Sequence, residues 1–311
     1  MHSQRWGPDA VIDAHHHVWN PATRDHSWPA DPALASVGRA FTVADLTPRG
    51  AAAGVRATVL VQELAELDET EEFLALAAKE PRVAGVVGWA DLAAPDLADT
   101  IAELRAGPGG EALVGVRHLV QSEADPAYLT RPDVVRGLRI VARAGLAYDL
   151  PTRPHQLPAA IEVTRAVPEL TFVLDHLSKP PVATGEAEPW ATRLRALAAA
   201  PNVVAKLSGL VSEADNPCST VADLRPHAEI ALDAFSPDPL MFGSDWPVYL
   251  PVGAPMTTQR SPPAYPAQPA PLTPQSTPYC ANRATTSEWS ATAVICCLFL
   301  LGPAKAVTSL G

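Results

Sequence analysis

Eight short apolar runs recur along this chain, each followed by a longer amphipathic stretch, and that alternation restricts the fold more than any other feature. The runs are VIDAHHHV (11–18), ATVLVQ (57–62), VAGVVGWA (83–90), LVGVRHLV (113–120), LAYDL (146–150), TFVLDH (171–176), VVAKLSG (203–209) and LMFGSDW (240–246). Their near-continuous apolar character fits parallel strands buried on both faces. Helices are expected between them at 42–54, 68–80, 96–106, 131–145, 155–167, 189–200 and 220–235. Gly54 and Gly145 stand where helices should stop, Pro132 where an early proline is tolerated, and Asp68-Glu69-Thr70-Glu71 reads as a capping-box-like start. Right-handed strand–helix–strand units repeated this often predict an α/β fold, a (β/α)8 TIM-like barrel. A doubly wound sheet is disfavoured, because no GxGxxG follows the first strand.

A barrel of this kind builds its site at the C-terminal ends of its strands, and polar residues collect there. The first run ends in His15-His16-His17, the fourth in Arg117-His118, the fifth in Tyr148-Asp149 and the sixth in Asp175-His176. Lys206 and Ser208 follow in the seventh, Ser244-Asp245-Trp246 in the eighth. The histidines are no purification tag, since Val11-Ile12 lead in and Val18-Trp19 lead out. On a strand His15 and His17 face one side and His16 the other. Two imidazoles on one side can share a divalent ion, His176 can add a third nitrogen, and Asp245 can bind the ion or take a proton from water. A single strand histidine is as a rule a hydrogen-bonded core residue. Burying His15, His17, His176 and Asp245 together without metal, water or substrate would be costly.

The net charge of −11 argues against nucleic acid or an anionic membrane as partner. With 47% apolar and 18% charged residues, the chain is an ordinary globular one. Cys218, Cys280, Cys296 and Cys297 make no CxxC spacing, so a thiolate zinc site is not expected. No basic-then-apolar leader opens the chain, and the longest apolar run (291–302) falls short of the roughly 20 residues of a membrane helix. A cytoplasmic protein is the expectation; nothing in the composition bears on self-association.

VIDAHHHVWNP, VGWADL, GVRHLVQ, LAYDLPTRPHQLP, FVLDHLSKPP, VVAKLSGLVSEAD and LMFGSDWPV, in that order from about residue 10 to about residue 252, resemble the amidohydrolase superfamily. More narrowly they look like its branch of sugar-lactone and 2-pyrone-4,6-dicarboxylate lactonases. The resemblance implies that His15 and His17 are the strand-one metal pair, His176 the later histidine and Asp245 the strand-eight acid that activates water. Arg117 and His118 match the position where relatives hold substrate oxygens. The strand lysine that carries a carbamylated bridge in binuclear members is missing, as Lys206 follows too late. At most one divalent ion, zinc, is therefore implied, and some members of the branch work without a tightly held metal. The implied reaction is hydrolysis of a small lactone or carboxylated substrate at its ester C–O bond, with Arg117 and His176 beside the developing oxyanion. Tyr148 would contact substrate, and Trp19, Trp89 and Trp246 would wall a sugar-sized pocket. Two other readings stay open: a metal-dependent decarboxylase or C–C hydrolase using the same ligands, and a barrel left catalytically defective by its C-terminus.

That C-terminus breaks the pattern. Residues 253–311 are crowded with Pro, Thr, Ser, Ala and Gln and lack helical periodicity, a composition that cannot bury enough apolar surface to offset its ordering entropy. A barrel at 10–252 lacking a normal eighth helix, followed by a disordered tail, is the expected organisation. The tail reads as out-of-frame translation or as an added linker with a short hydrophobic anchor.

Overall fold

A computed structural model describes residues 11–26, 37–214, 220–236 and 239–250. Eight parallel strands follow one another round a single sheet in chain order: β1 (Val11–His16), β2 (Val55–Val61), β3 (Val83–Gly88), β4 (Leu113–Arg117), β5 (Ala147–Leu150), β6 (Phe172–Leu174), β7 (Val203–Leu207) and β8 (Leu240–Phe242). Between them run α1 (Val43–Ala52), α2 (Leu67–Ala77), α3 (Leu97–Ala106), α4 (Pro132–Arg143), α5 (Leu157–Ala166), α6 (Trp190–Ala198) and α7 (Val221–Phe235). This is the (β/α)8 barrel that the alternation predicts. The two ends of the sheet meet through one parallel bridge, His16 to Trp246, reinforced by Asp245 N–H donating to His15 O (2.9 Å) and His17 N–H to Trp246 O (2.7 Å).

The helices begin and end where their residues dictate. Pro132 opens α4, and Gly54 and Gly145 lie just beyond α1 and α4 in the left-handed region. The start of α2 differs from the expected capping box. Glu66 is its N-cap, and the Glu69 carboxylate turns out of the helix to accept from the backbone N–H groups of Glu63 (2.8 Å) and Leu64 (2.9 Å). Those two amides belong to the turn leaving β2 and have no ladder partner, so the carboxylate satisfies the loop in preference to its own helix.

Strand alternation divides the interior into two apolar regions. Outward-facing Leu60, Val116, Tyr148, Leu150, Phe172 and Leu207 join the helices in the main core. Inward-facing Val59, Val61 and Val87, with half-buried Val114 against them, form a small separate floor inside the barrel. Higher up, inward positions carry Arg117, Asp149, Asp175 and Lys206, each almost wholly buried. Hydrophobic burial thus fixes the barrel wall, and ionic pairing fills its upper interior. Among the described residues no helix is long and apolar enough to cross a membrane. The Pro-rich tail, the apolar run at 291–302, the four cysteines and any eighth helix lie outside the described residues.

Candidate active site

Each strand delivers its side chain by parity. On β1, His15 and its neighbour in space His17 point inward, while His16 turns outward and places Nε2 3.0 Å from Thr58 Oγ1. On β4 and β5, Arg117 and Asp149 are register partners and both face in. Tyr148, one residue earlier, therefore faces out. It is fully buried with its ring edge-on to Phe172 (6.2 Å), in the apolar layer and away from the histidine cluster, so the expected substrate contact is a core residue here.

After β6 the chain does something strand parity does not anticipate. His176, Leu177, Ser178 and Lys179 all have positive φ, from 50° to 59°, and make a left-handed turn closed by Lys179 N–H donating to His176 O (2.8 Å). Each such residue costs roughly 1–2 kcal/mol against a right-handed one. Anchors hold the turn: Trp190 Nε1–H donates to Leu177 O (2.7 Å), Ser178 Oγ meets Thr152 Oγ1 (2.8 Å), and His176 Nδ1 meets Ser208 Oγ (2.8 Å). Its effect is to bring two consecutive residues, Asp175 and His176, into the same interior.

The eighth strand ends in the Gly243-Ser244-Asp245 corner, which is drawn onto β1. Buried Asp13 accepts from the N–H groups of Ser244 (2.8 Å) and His15 (3.1 Å). A Cβ on Gly243 would stand 2.8 Å from His15 Cβ and 3.1 Å from Ser208 Cβ, so only glycine allows this approach. Asp245 itself is left-handed, with φ of 57°. Its Oδ1 comes to 3.9 Å from His15 Nε2, 3.8 Å from His17 Nε2 and 3.7 Å from His176 Nε2. Four residues from β1, β6 and β8 thus converge on one point.

The remaining expected site residues divide. Arg117 belongs to the cluster: its Nη1 donates to Asp175 Oδ2 (3.2 Å) and stands 3.5 Å from His15 Nε2, and its Nη2 donates to Gln62 O. His118, on the opposite parity, does not. It is clasped at the rim by Glu123 Oε1 (2.7 Å), by Trp89 Nε1–H (3.2 Å) and by the stacked ring of Tyr128 (4.8 Å). Trp19 donates to Val37 O (3.0 Å) and packs on Phe41, which also meets the buried ring of Trp246 (5.3 Å). These two indoles brace the loop after β1.

A family model described as an amidohydrolase matches residues 12–265. The chain belongs to the amidohydrolase family. An L-fucono-1,5-lactonase of Burkholderia ambifaria is 38% identical over 237 residues, covering 76% of this chain and 80% of the relative. An L-fucono-1,5-lactonase of Burkholderia multivorans is 40% identical over 250 residues, covering 77% and 82%. The solved structure of a Burkholderia multivorans amidohydrolase with bound zinc superposes with a TM-score of 0.71 at 40% identity, covering 78% of this chain and 86% of that one.

In this amidohydrolase the donor atoms suit a divalent ion. His17 Nδ1 is 2.9 Å from Val61 O, which can only accept, so Nδ1 carries the proton of the neutral ring and Nε2 a bare lone pair. That lone pair lies 3.1 Å from His15 Nε2, a contact that needs either a proton between the two or a shared cation. Burial, with the charges of Lys206 beside His15 and Arg117 beside His17, pushes both imidazoles far below their ordinary range and keeps them neutral. Burial likewise lowers His176 to about 3. Three neutral imidazoles and one carboxylate, with the donor atoms of His15, His17 and Asp245 all within 4.8 Å of one another, form a set that zinc accepts.

Beneath this cluster lies a network that strand-end reading undervalues. Lys206 Nζ pairs with Asp149, stands 3.0 Å from Asp175 Oδ1 and 3.1 Å from His15 Nδ1, and Asp175 Oδ1 is 3.3 Å from the same nitrogen. Burial alone would strip the Lys206 proton, but the two carboxylates more than offset that and hold it as an ammonium. Burial alone would raise Asp175 too; Lys206, His15 and Arg117 together hold it well below the usual carboxylate range. Glu63 completes the rim beside His17, its Oε2 3.5 Å from Nδ1, pushed up to about 8 by burial. Burial also raises Asp245, to about 7, against the opposing charges of Lys179 and Arg117.

Proposed function

We propose that this amidohydrolase opens a small lactone by water attack at the barrel mouth, with Asp245 as general base. The observation that carries the reading is the convergence of His15, His17 and His176 Nε2 on Asp245 Oδ1. Its support from relatedness is the lactonase activity named for two relatives at 38% and 40% identity. A divalent ion held by His15, His17, His176 and Asp245 would supply Lewis-acid polarisation of the lactone carbonyl. Arg117 is fixed by Asp175 and Gln62 with its guanidinium edge toward His15, and so sets a permanent positive charge beside the oxygen that becomes the oxyanion. Asp245, poised near neutrality by burial, takes the proton as water oxygen bonds to the acyl carbon. When the ring C–O bond breaks, Asp245 returns that proton to the ring oxygen. One water is consumed, and the hydroxy acid leaves as a carboxylate with release of one proton to solvent.

A pH-indicator screen of six-membered aldonolactones and pyrone carboxylates, run beside a carbon dioxide trap, tests this. Proton release from an aldonolactone without carbon dioxide is the expected result. Carbon dioxide from a carboxylated ring would replace the reading with a decarboxylase; no turnover of any lactone would end it.

A further inference from the structure

The left-handed turn that presents His176 presents a second residue. Lys179 follows His176 by three residues, and its N–H closes the turn onto His176 O (2.8 Å). Its ammonium stands 3.4 Å from Glu213 Oε1, at the Ser212–Ala214 turn after β7. The pair therefore bridges the loops following β6 and β7. Unlike the sealed ion pairs below it, this one is open, with 19% and 21% of the two side chains exposed. Glu213 follows Ser208, whose hydroxyl meets His176 Nδ1 (2.8 Å), by five residues, so the pair joins the same two loops that hold that imidazole.

Two features say what it would bind. The contact is longer than the ordinary 2.7–2.9 Å of a closed charge-assisted bond, and an ammonium offers three donors while a carboxylate offers about four acceptor sites. Donor and acceptor capacity are left unspent side by side, which matches adjacent hydroxyl groups, each needing one of both. The cations at the cluster, moreover, all have carboxylate partners among the described residues: Arg117 has Asp175, Lys206 has Asp149 and Asp175, and Lys179 has Glu213. An additional carboxylate on the substrate would meet Glu213 and Asp245 with no unpaired cation among those three.

We propose that the Lys179–Glu213 pair is the specificity-determining contact for ring hydroxyls: the ammonium donates to one hydroxyl oxygen and the carboxylate accepts from its neighbour, selecting a neutral polyhydroxylated lactone over a carboxylated one. The proposal rests on the lactonase reading and deepens it by choosing the substrate class.

The test compares wild type, Lys179→Met and Glu213→Gln on a six-membered aldonolactone and on δ-valerolactone, which has the ester ring without hydroxyls. The ratio of the two kcat/KM values is expected to fall by about 10–100-fold in each variant, the range for losing a hydrogen bond to a charged group. A merely structural role would lower both rates together and leave the ratio unmoved, which overturns the proposal. Binding of the corresponding polyhydroxylated δ-lactam, measured by calorimetry, reads recognition apart from ring opening. Weakening of lactam binding by ten-fold or more in both variants supports the pair even if wild type opens no lactone, an outcome that would remove the hydrolase reading alone. Lactam binding unaltered in both variants, or a wild-type preference for a pyrone dicarboxylate over the aldonolactone, overturns the pair.

Discussion

Replacing Lys206 by methionine removes the one ammonium shared by Asp149 and Asp175 and leaves two carboxylates facing each other in a dry interior. At the 3.0 Å separation from Asp175, an effective dielectric of about 20 gives a gross attraction of about 5 kcal/mol. Desolvation takes back much of this, and the net cost of deleting one member of a buried pair is typically about 3–5 kcal/mol. Domains of this size have total stabilities of about 5–15 kcal/mol and lose about 2–4 °C of melting temperature per kcal/mol. Lys206→Met is therefore expected to melt about 6–20 °C below wild type at pH 8. The deficit should shrink with acidity. Burial, with the charge of Asp175 adding to it and Lys206 opposing it, already raises Asp149 to about 6 from an unfolded 3.8. A carboxyl raised in this way favours folding fully below its unfolded value and loses that contribution as pH climbs through the folded one. Without Lys206 the folded value rises further, so at pH 5 Asp149 is protonated and the repulsion is gone. Calorimetric melts of wild type, Lys206→Met and Lys206→Met/Asp149→Asn at pH 5 and 8 measure all three effects. A deficit below about 1 kcal/mol, a deficit independent of pH, or no recovery in the double variant would refute the reasoning.

Three further outcomes follow from the same geometry. Gly243→Ala places a methyl 2.8 Å from His15 Cβ; overpacking of about 1–3 kcal/mol should lower the melting temperature by a few degrees and weaken zinc retention in equilibrium dialysis, and an unchanged melt would show that the corner yields freely. Glu69 is raised to about 7 by burial, against the pull of the Leu64 and Glu63 amides. The folded chain thus keeps a proton that the unfolded chain surrenders near pH 4.5, so the stability of wild type relative to Glu69→Gln should decline as pH rises from 5 to 8 in denaturant titrations, and a flat difference would contradict it. His17→Ala removes a bare nitrogen aimed at the cluster, and should reduce zinc bound after dialysis by at least ten-fold while the far-ultraviolet spectrum is retained; equal zinc content would separate His17 from the metal.

The barrel was legible because its strands are buried on both faces and its helices carry their own stop signals. Each of the eight apolar runs meets an observed strand, and the differences are at the ends: β2 begins at Val55, two residues before its run, while TFVLDH and LMFGSDW keep only Phe172–Leu174 and Leu240–Phe242 in the ladder, since their polar ends leave the sheet as turns. His15, His17 and Asp245 could be picked out by spacing and by strand-end position. Tyr148 faces the apolar layer and Asp149 the interior, and the register of Arg117 with Asp149 is what separates the two, although register is a property of two strands and not of one. Consecutive Asp175 and His176 both entering the interior depends on a left-handed turn of non-glycine residues, which no local pattern announces. The pairing of Lys206 has no local signal, because its partners lie 57 and 31 positions away along the chain and only closure of the barrel brings them together.

The central claim is that the carboxylate at the end of β8, approached by three imidazole nitrogens, does the chemistry. Its most direct test is the background-corrected rate of proton release from a six-membered aldonolactone by wild type and by Asp245→Asn, with melting curves taken on both. The account predicts a loss of about 10²–10⁴-fold at an essentially unaltered melting temperature. A variant that opens the lactone within about three-fold of wild type would contradict it.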